Sequence, residues 1–231
     1  MRIFLALALL LPACSAPPAG AAPTEASVKP GINDDFTNPS LDVDAMVRRF
    51  EGESREIFAK RTAIARAVGL QPGQAVADVG AGTGVFVDHF AADVGPTGVV
   101  YAVEIAPKFV LHLAERAQRR GQTQVRAVLG GEREPGLPEA SCDAVFTSDT
   151  YHHFEYPRAT LAGIHRALRP GGQFVVVDFE RIPGVSREWT LGHVRAGKQE
   201  VIAEVTAAGF RLVEEVPLGL TENYFLRFRR D

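Results

Sequence analysis

"VADVGAGTG", Val76 to Gly84, closes an apolar run with an acid and three glycines at alternate positions. Residues 75–79 read as a strand and the amphipathic stretch from about Val85 as a helix. The glycines therefore occupy a strand-to-helix turn, where a backbone without side chains lets a ligand approach closely. Asp78, two residues before Gly80, limits what that ligand can be. The dinucleotide fingerprint G-x-G-x-x-G needs a glycine where Val85 stands. A diphosphate seated on the helix N-terminus would also be repelled by Asp78 across a poorly solvated cleft. A ligand carrying an ammonium and a sulfonium would be attracted.

Further along, strand and helix signals alternate. "VVYAV" (99–103), "VRAVL" (125–129), "DAVFT" (143–147) and "QFVVVDF" (173–179) are short, β-branched and nearly continuously apolar, as strands covered on both faces should be. Between them run two helical stripes. Val110, Leu113, Ala114 and Ala117 form one, introduced by Pro107; Leu161, Ile164 and Leu168 form the other, closed by "RPGG". This alternation predicts a parallel sheet with helices on both faces. After a helix at about 198–208, two more strands follow with only a short "GLT" turn between them, too short for a crossover, so that pair is antiparallel. Residues 41–70 read as helical with a break near Gly52, the stripe being Ile57, Arg61, Ile64 and Val68.

The chain has 231 residues, 46% apolar and 23% charged, enough for one full-sized domain and an appendage. A net charge of -3 with scattered Lys and Arg offers no field for a polyanion, so no nucleic-acid partner is expected. Arg2, the apolar run Ile3 to Leu11 and the small residues and prolines after it read as an export signal, residues 1–20. The apolar run is about half the ~20 residues of a membrane-spanning helix. "LPAC", Leu11 to Cys14, resembles a bacterial lipoprotein processing box, which would attach the chain to a membrane through a lipid on Cys14; an ordinary secretory cut within "SAPPAGAA" is the alternative. Either route places the protein outside the cytoplasm, in the periplasm. Residues 21–40, rich in Pro, Ala and Gly, read as a flexible linker, and 41–231 as the catalytic domain. Removal or lipidation of Cys14 leaves Cys142 as the mature thiol, which excludes an intramolecular disulfide and a cysteine zinc site.

Two segments carry a family resemblance. "VADVGAGTG" resembles the first motif of class I S-adenosylmethionine-dependent methyltransferases, and "LRPGGQFVVVDF", Leu168 to Phe179, resembles their segment before the fifth strand. The likeness runs from about Leu41 to the C-terminus and is closest to the quinone-biosynthesis and small-molecule branch. It implies an α/β, Rossmann-like, seven-stranded, mostly parallel sheet with helices on both faces and an antiparallel last strand. It further implies S-adenosylmethionine as cofactor, a small-molecule substrate, and methyl transfer by direct displacement. Asp78, Gly80, Ala81, Gly82 and Gly84 would face the methionine part, with Asp78 towards its ammonium. Glu104 would accept from the ribose hydroxyls beside Ile105, and Thr147 and Ser148 would contact the cofactor from the end of the fourth strand. Where the family often has a Gly-Asp pair for the adenine, this chain has Gly131 and then Glu132.

The substrate side lies in two less regular stretches. "TSDTYHHFEYP" (147–157) supplies Asp149, Tyr151, His152 and His153; "DFERIPGVSREWTLGHVRAG" (178–197) supplies Asp178, Arg181, Trp189, His193 and Arg195 and reads as a lid. A histidine near its ordinary pKa of about 6.5 can take the proton of an attacking hydroxyl, amine or activated carbon, so His152, His153 and His193 are the catalytic candidates. Tyr151, Asp178, Arg181 and Arg195 are the substrate-binding candidates. Alignment of acceptor and sulfonium without any base is the competing mechanism. Asp149 and Asp178 lack a third oxygen ligand nearby, so no metal is expected. His89, His112 and His165 read as surface or packing residues, and Arg55 and Glu56 as either a site-closing pair or an exposed helical one. Two other classes stay open: an exported scaffold that keeps the fold without the chemistry, because the cofactor is made in the cytosol, and a nicotinamide oxidoreductase.

Overall fold

The computed structural model describes residues 25–52 and 55–231; residues 1–20, read as an export signal, and Cys14 lie outside them. Seven strands form one sheet in the order β3-β2-β1-β4-β5-β7-β6. They are β1 (Ala75–Val79), β2 (Val99–Glu104), β3 (Val125–Leu129), β4 (Cys142–Ser148), β5 (Leu168–Phe179), β6 (Phe210–Glu215) and β7 (Asn223–Arg230). β1 to β5 pair in parallel, and β7 inserts antiparallel between β5 and β6. The expected α/β architecture is therefore the observed one.

Period-two alternation sorts the strand residues onto two cores, which is why the strands read as continuously apolar. Ala77, Val79, Val145, Phe174 and Val176 pack under the helices Pro157–Ala167 and Lys198–Ala207. Val76, Phe146, Val175 and Val177 pack under Arg61–Val68 and Val87–Val94 on the opposite face. Cys142 is fully buried, with burial raising its thiol pKa, as suits a packing residue.

The strand order reverses between β1 and β4, so their carboxyl ends frame the crevice in which this architecture binds ligands. The glycine turn sits there. Gly80, Gly82 and Gly84 all have positive φ (79°, 54° and 91°), the region in which a side chain is strained. At Gly80 a Cβ would also collide with the Thr150 side chain. Gly80→Ala combines strain with overpacking and should cost roughly 2–5 kcal/mol, read as a lower urea midpoint at unchanged slope.

The N-terminal segment departs from expectation. Residues 25–40, read from composition as flexible linker, are packed against the domain. The Glu25 carboxylate accepts from the backbone N–H of Arg158 and Ala159 at 2.9 and 2.8 Å, capping the helix that starts at Pro157. Val28 N–H donates to Glu155 O, Lys29 Nζ to His193 O at 2.6 Å, and Asn33 Nδ2 to His153 O. Phe36, Leu41, Met46 and Phe50 then gather on Phe109, with the helix Val43–Phe50 N-capped by Asp42. Scattered apolar anchors and one acid at a helix start hold this stretch, and none of these is a feature that composition or periodicity weighs.

Candidate active site

A cavity of about 790 Å³ opens at the carboxyl ends of β1 and β4, within the range of small-molecule sites. One end is acidic. Asp78 is buried, and its Oδ2 has no hydrogen-bond partner. Glu104, also buried, accepts from Gly82 N–H at 2.8 Å through Oε1 and from Ile105 N–H at 2.9 Å through Oε2, so it holds the glycine turn in place. Burial, with the Glu104 carboxylate adding to it, pushes Asp78 up to about 8. Burial also raises Glu104, against the three backbone N–H groups that favour its charge. Two acids on one apolar wall, one with a lone oxygen, make a place for a cation and for hydroxyl donors. Thr83 Oγ1 and Ser148 Oγ on the same cavity are likewise buried without partners.

Of the cofactor-side candidates, Asp78, Gly80, Ala81, Gly82, Glu104, Ile105 and Ser148 line this cavity. Gly131 and Glu132 line it too. Thr147 and Gly84 do not. Thr147 is fully buried and donates from Oγ1 to Val79 O at 2.9 Å, tying the ends of β4 and β1 together. Gly84 packs against Leu113 and Arg116, so its missing side chain serves helix packing.

The other end is built of rings. A turn of 3₁₀ helix, Tyr151–His153, follows β4, and the short helix Glu188–His193 leans over it from the lid segment. His152, His153 and His193 come together there, each offering a ring nitrogen within 4.8 Å of the other two. Phe179, Trp189, Phe36 and Phe50 enclose them on the cavity wall. Trp189 stacks on His193 at 4.6 Å. His152 Nδ1 lies 2.8 Å from Asp178 Oδ1, and the same carboxylate accepts from the backbone N–H of His152 at 3.1 Å and of Phe179 at 2.7 Å. Burial works to raise Asp178, yet His152 and these N–H donors outweigh it and hold the carboxyl below its ordinary value. An ionised Asp178 accepts from Nδ1–H, which leaves Nε2 of His152 as a lone pair. His153 is pushed down to about 3 by burial and by the two neighbouring rings, and His193 is lowered by burial, by His152 and by Lys29 and Arg49.

All four substrate-binding expectations are corrected. Tyr151 is fully buried and donates to Glu204 Oε2 at 2.7 Å, while Arg195 forks onto both Glu204 oxygens at 2.9 and 3.0 Å and onto Phe154 O. These three side chains fasten the helix Lys198–Ala207 beneath the loop and do not line the cavity. Arg181 donates to Leu191 O and stays off the cavity as well. Asp178 acts through His152 instead of touching the cavity.

Asn223, which the sequence reading missed, completes the site with Asp149 and Arg55, which it had weighed. Asp149, held at a positive φ of 49°, accepts from Arg55 Nη2 at 2.5 Å and from Asn223 Nδ2 at 2.7 Å. Burial raises its carboxyl to about 6 against the pull of Arg55. Arg55 is thus the site-closing residue of its pair. Glu56 instead accepts from the backbone of Thr221, Glu222 and Asn223 at the β7 start. The signal for Arg55 was its place on the N-terminal helical cover; for Asn223 no local signal exists.

Comparison with known proteins agrees with this geometry. A family model described as "Methyltransferase domain" matches residues 77–176. Nocamycin O-methyltransferase of Saccharothrix syringae is 35% identical over 127 residues, covering 55% of this chain and 45% of that protein. The ubiquinone/menaquinone biosynthesis C-methyltransferase UbiE of Cupriavidus metallidurans is 31% identical over 113 residues, covering 49% and 46%. The match thus spans less than half the length of these curated relatives. Among solved structures, a SAM-dependent methyltransferase from Aquifex aeolicus superposes with a TM-score of 0.72 at 22% identity, over 82% of this chain and 99% of that one. The matched segment, the sheet with its inserted antiparallel strand and the glycine turn between two buried acids make this chain similar to the class I S-adenosylmethionine-dependent methyltransferases, in sequence over residues 77–176 and in fold over most of its length.

Proposed function

We propose that this chain transfers a methyl group from S-adenosylmethionine to a small-molecule acceptor by direct displacement. The observation that carries this reading is the buried, partnerless Asp78 oxygen at the glycine turn beside Glu104. The donor set fits the group: a cationic amino acid end for Asp78, hydroxyls for Glu104, and backbone freed of side chains at Gly80 and Gly82. When bound, the cofactor supplies an activated methyl group on a sulfonium. The chain's own residues do the rest. Asp78 would hold the ammonium and Glu104 the ribose hydroxyls, with Ile105 and Ser148 on the flanks. Phe50, Phe179 and Trp189 exclude water and align the acceptor, and alignment by itself is worth several kcal/mol of barrier. His152 Nε2, its tautomer set by Asp178, is placed to take the acceptor's proton.

The acceptor class proposed is a small hydroxylated or carbon-nucleophilic molecule; the names of the two relatives state methylation of an oxygen in one and a carbon in the other. We also propose that the protein works outside the cytoplasm, in the periplasm, anchored through a lipid on Cys14, on the strength of the leader and "LPAC" box. The mass of the mature N-terminus tests that part. Calorimetric titration tests the activity. S-adenosylhomocysteine should bind one to one and NAD should give no heat. The reverse result would make the protein an oxidoreductase, and silence towards both would favour the scaffold.

A further inference from the structure

The three histidines are arranged more strictly than a general base requires. Two of them have the ring nitrogen away from the cluster committed. Asp178 takes Nδ1–H of His152. Asn33 Oδ1 faces Nδ1 of His153 at 3.2 Å, and the orientation of that amide is set because its Nδ2 donates to His153 O. Both tautomers are therefore Nδ1–H, and both Nε2 atoms keep lone pairs. Such an outer partner on the far nitrogen is the usual companion of a metal-ligating imidazole. His153 Nε2 and His193 Nε2 stand 3.3 Å apart. Two nitrogens at about 2.0–2.1 Å from one tetrahedral ion are separated by about 3.3–3.4 Å.

We propose that His152, His153 and His193 bind one divalent transition-metal ion of the zinc type, leaving a fourth position open to the cavity. Three neutral imidazoles with an open position match the ligand set of catalytic zinc. Asp178 and Asp149 supply the negative charge nearby, while Lys29 and Arg49 lie on the His193 side and oppose it. His193 comes from the lid segment and the other two from the turn after β4, so the ion would also fasten the lid over the acceptor. Its chemical role, which rests on the methyltransferase reading and takes the place of proton transfer to His152, is to bind an acceptor hydroxyl oxygen and release that proton to water, presenting an oxyanion to the methyl group. Binding of the ion does not rest on that reading.

The test uses the mature, untagged chain after treatment with a chelator. Zn²⁺ is titrated calorimetrically, Co²⁺ is followed by its visible absorption, and S-adenosylhomocysteine is titrated on the same samples. One equivalent of Zn²⁺ should bind, and Co²⁺ should develop an intense visible spectrum of low-coordinate nitrogen ligation. His153→Ala and His193→Ala should each weaken Zn²⁺ binding by at least about tenfold, and Asp178→Asn by about 10–100-fold. Affinity for S-adenosylhomocysteine should stay within about twofold, which also certifies the fold of each variant. Absence of a Zn²⁺ equivalent, or unchanged Zn²⁺ affinity in the His153→Ala/His193→Ala double variant, overturns the site. Loss of S-adenosylhomocysteine binding with Zn²⁺ binding intact would instead overturn the methyltransferase reading.

Discussion

Asp78→Asn is expected to weaken S-adenosylhomocysteine binding by roughly 30- to 1000-fold, the consequence of removing one charge from a buried pair. The free protein keeps Asp78 at about 8, so near neutrality its carboxyl is mostly protonated. Pairing with an ammonium requires the ionised form, and binding must therefore release a proton. Affinity should rise as pH climbs from about 6 towards 8 and level off once Asp78 is ionised. Calorimetry in two buffers of different ionisation heat reads that proton directly; the Asn variant should release none.

The same group gives a stability signature of opposite sense to that of most native carboxylates. Its folded pKa lies above the unfolded value of about 3.9, so between about pH 4 and 8 the folded state holds a proton that the unfolded state lacks. The cofactor-free protein should lose this contribution as pH rises through that window. In Asp78→Asn the slope due to this group disappears. Wild-type affinity in Asp78→Asn, or binding without proton release, would remove Asp78 from the site and with it the reason for preferring a cationic cofactor over a dinucleotide.

What made Asp78 legible is that its meaning is local. A strand, a turn and an acid two residues before the first glycine are read from nine adjacent residues, and positive φ at Gly80 and Gly82 bears that turn out. The sheet was legible for a related reason, since burial on both faces writes itself into each strand as a continuous apolar run. The substrate side was harder because its contacts are distant in sequence. Asn33 reaches His153 and Asn223 reaches Asp149 across spans that no motif covers. Arg195 and Tyr151 looked like substrate contacts because they stand beside histidines that do face the cavity. Their side chains turn the other way to meet Glu204, a partner nine residues further on from Arg195 that no pattern tied to them. The linker reading failed by weighing composition, whereas Glu25, Phe36 and Leu41 hold that segment through single contacts.

Asp178→Asn should lower kcat by about 10²- to 10⁴-fold, the range for disabling a positioned base or reversing its tautomer. One ionised carboxylate now accepts from Nδ1–H of His152 and from two backbone N–H groups. A neutral amide has one acceptor oxygen for these three donors, and its N–H₂ turned towards the ring would favour Nε2–H, with the lone pair facing away from the acceptor. Cofactor affinity should change by less than about twofold, because Asp178 lies off the cavity and apart from the Asp78 end. A fall in affinity matching the fall in kcat would mean that the loop had collapsed. Activity measured with and without saturating Zn²⁺ then separates the two roles of His152. If the ring is a base, added metal leaves the variant slow, since no ion restores the tautomer. If the ring is a ligand, the substitution weakens binding of the ion, and saturation with Zn²⁺ should return most of the lost turnover.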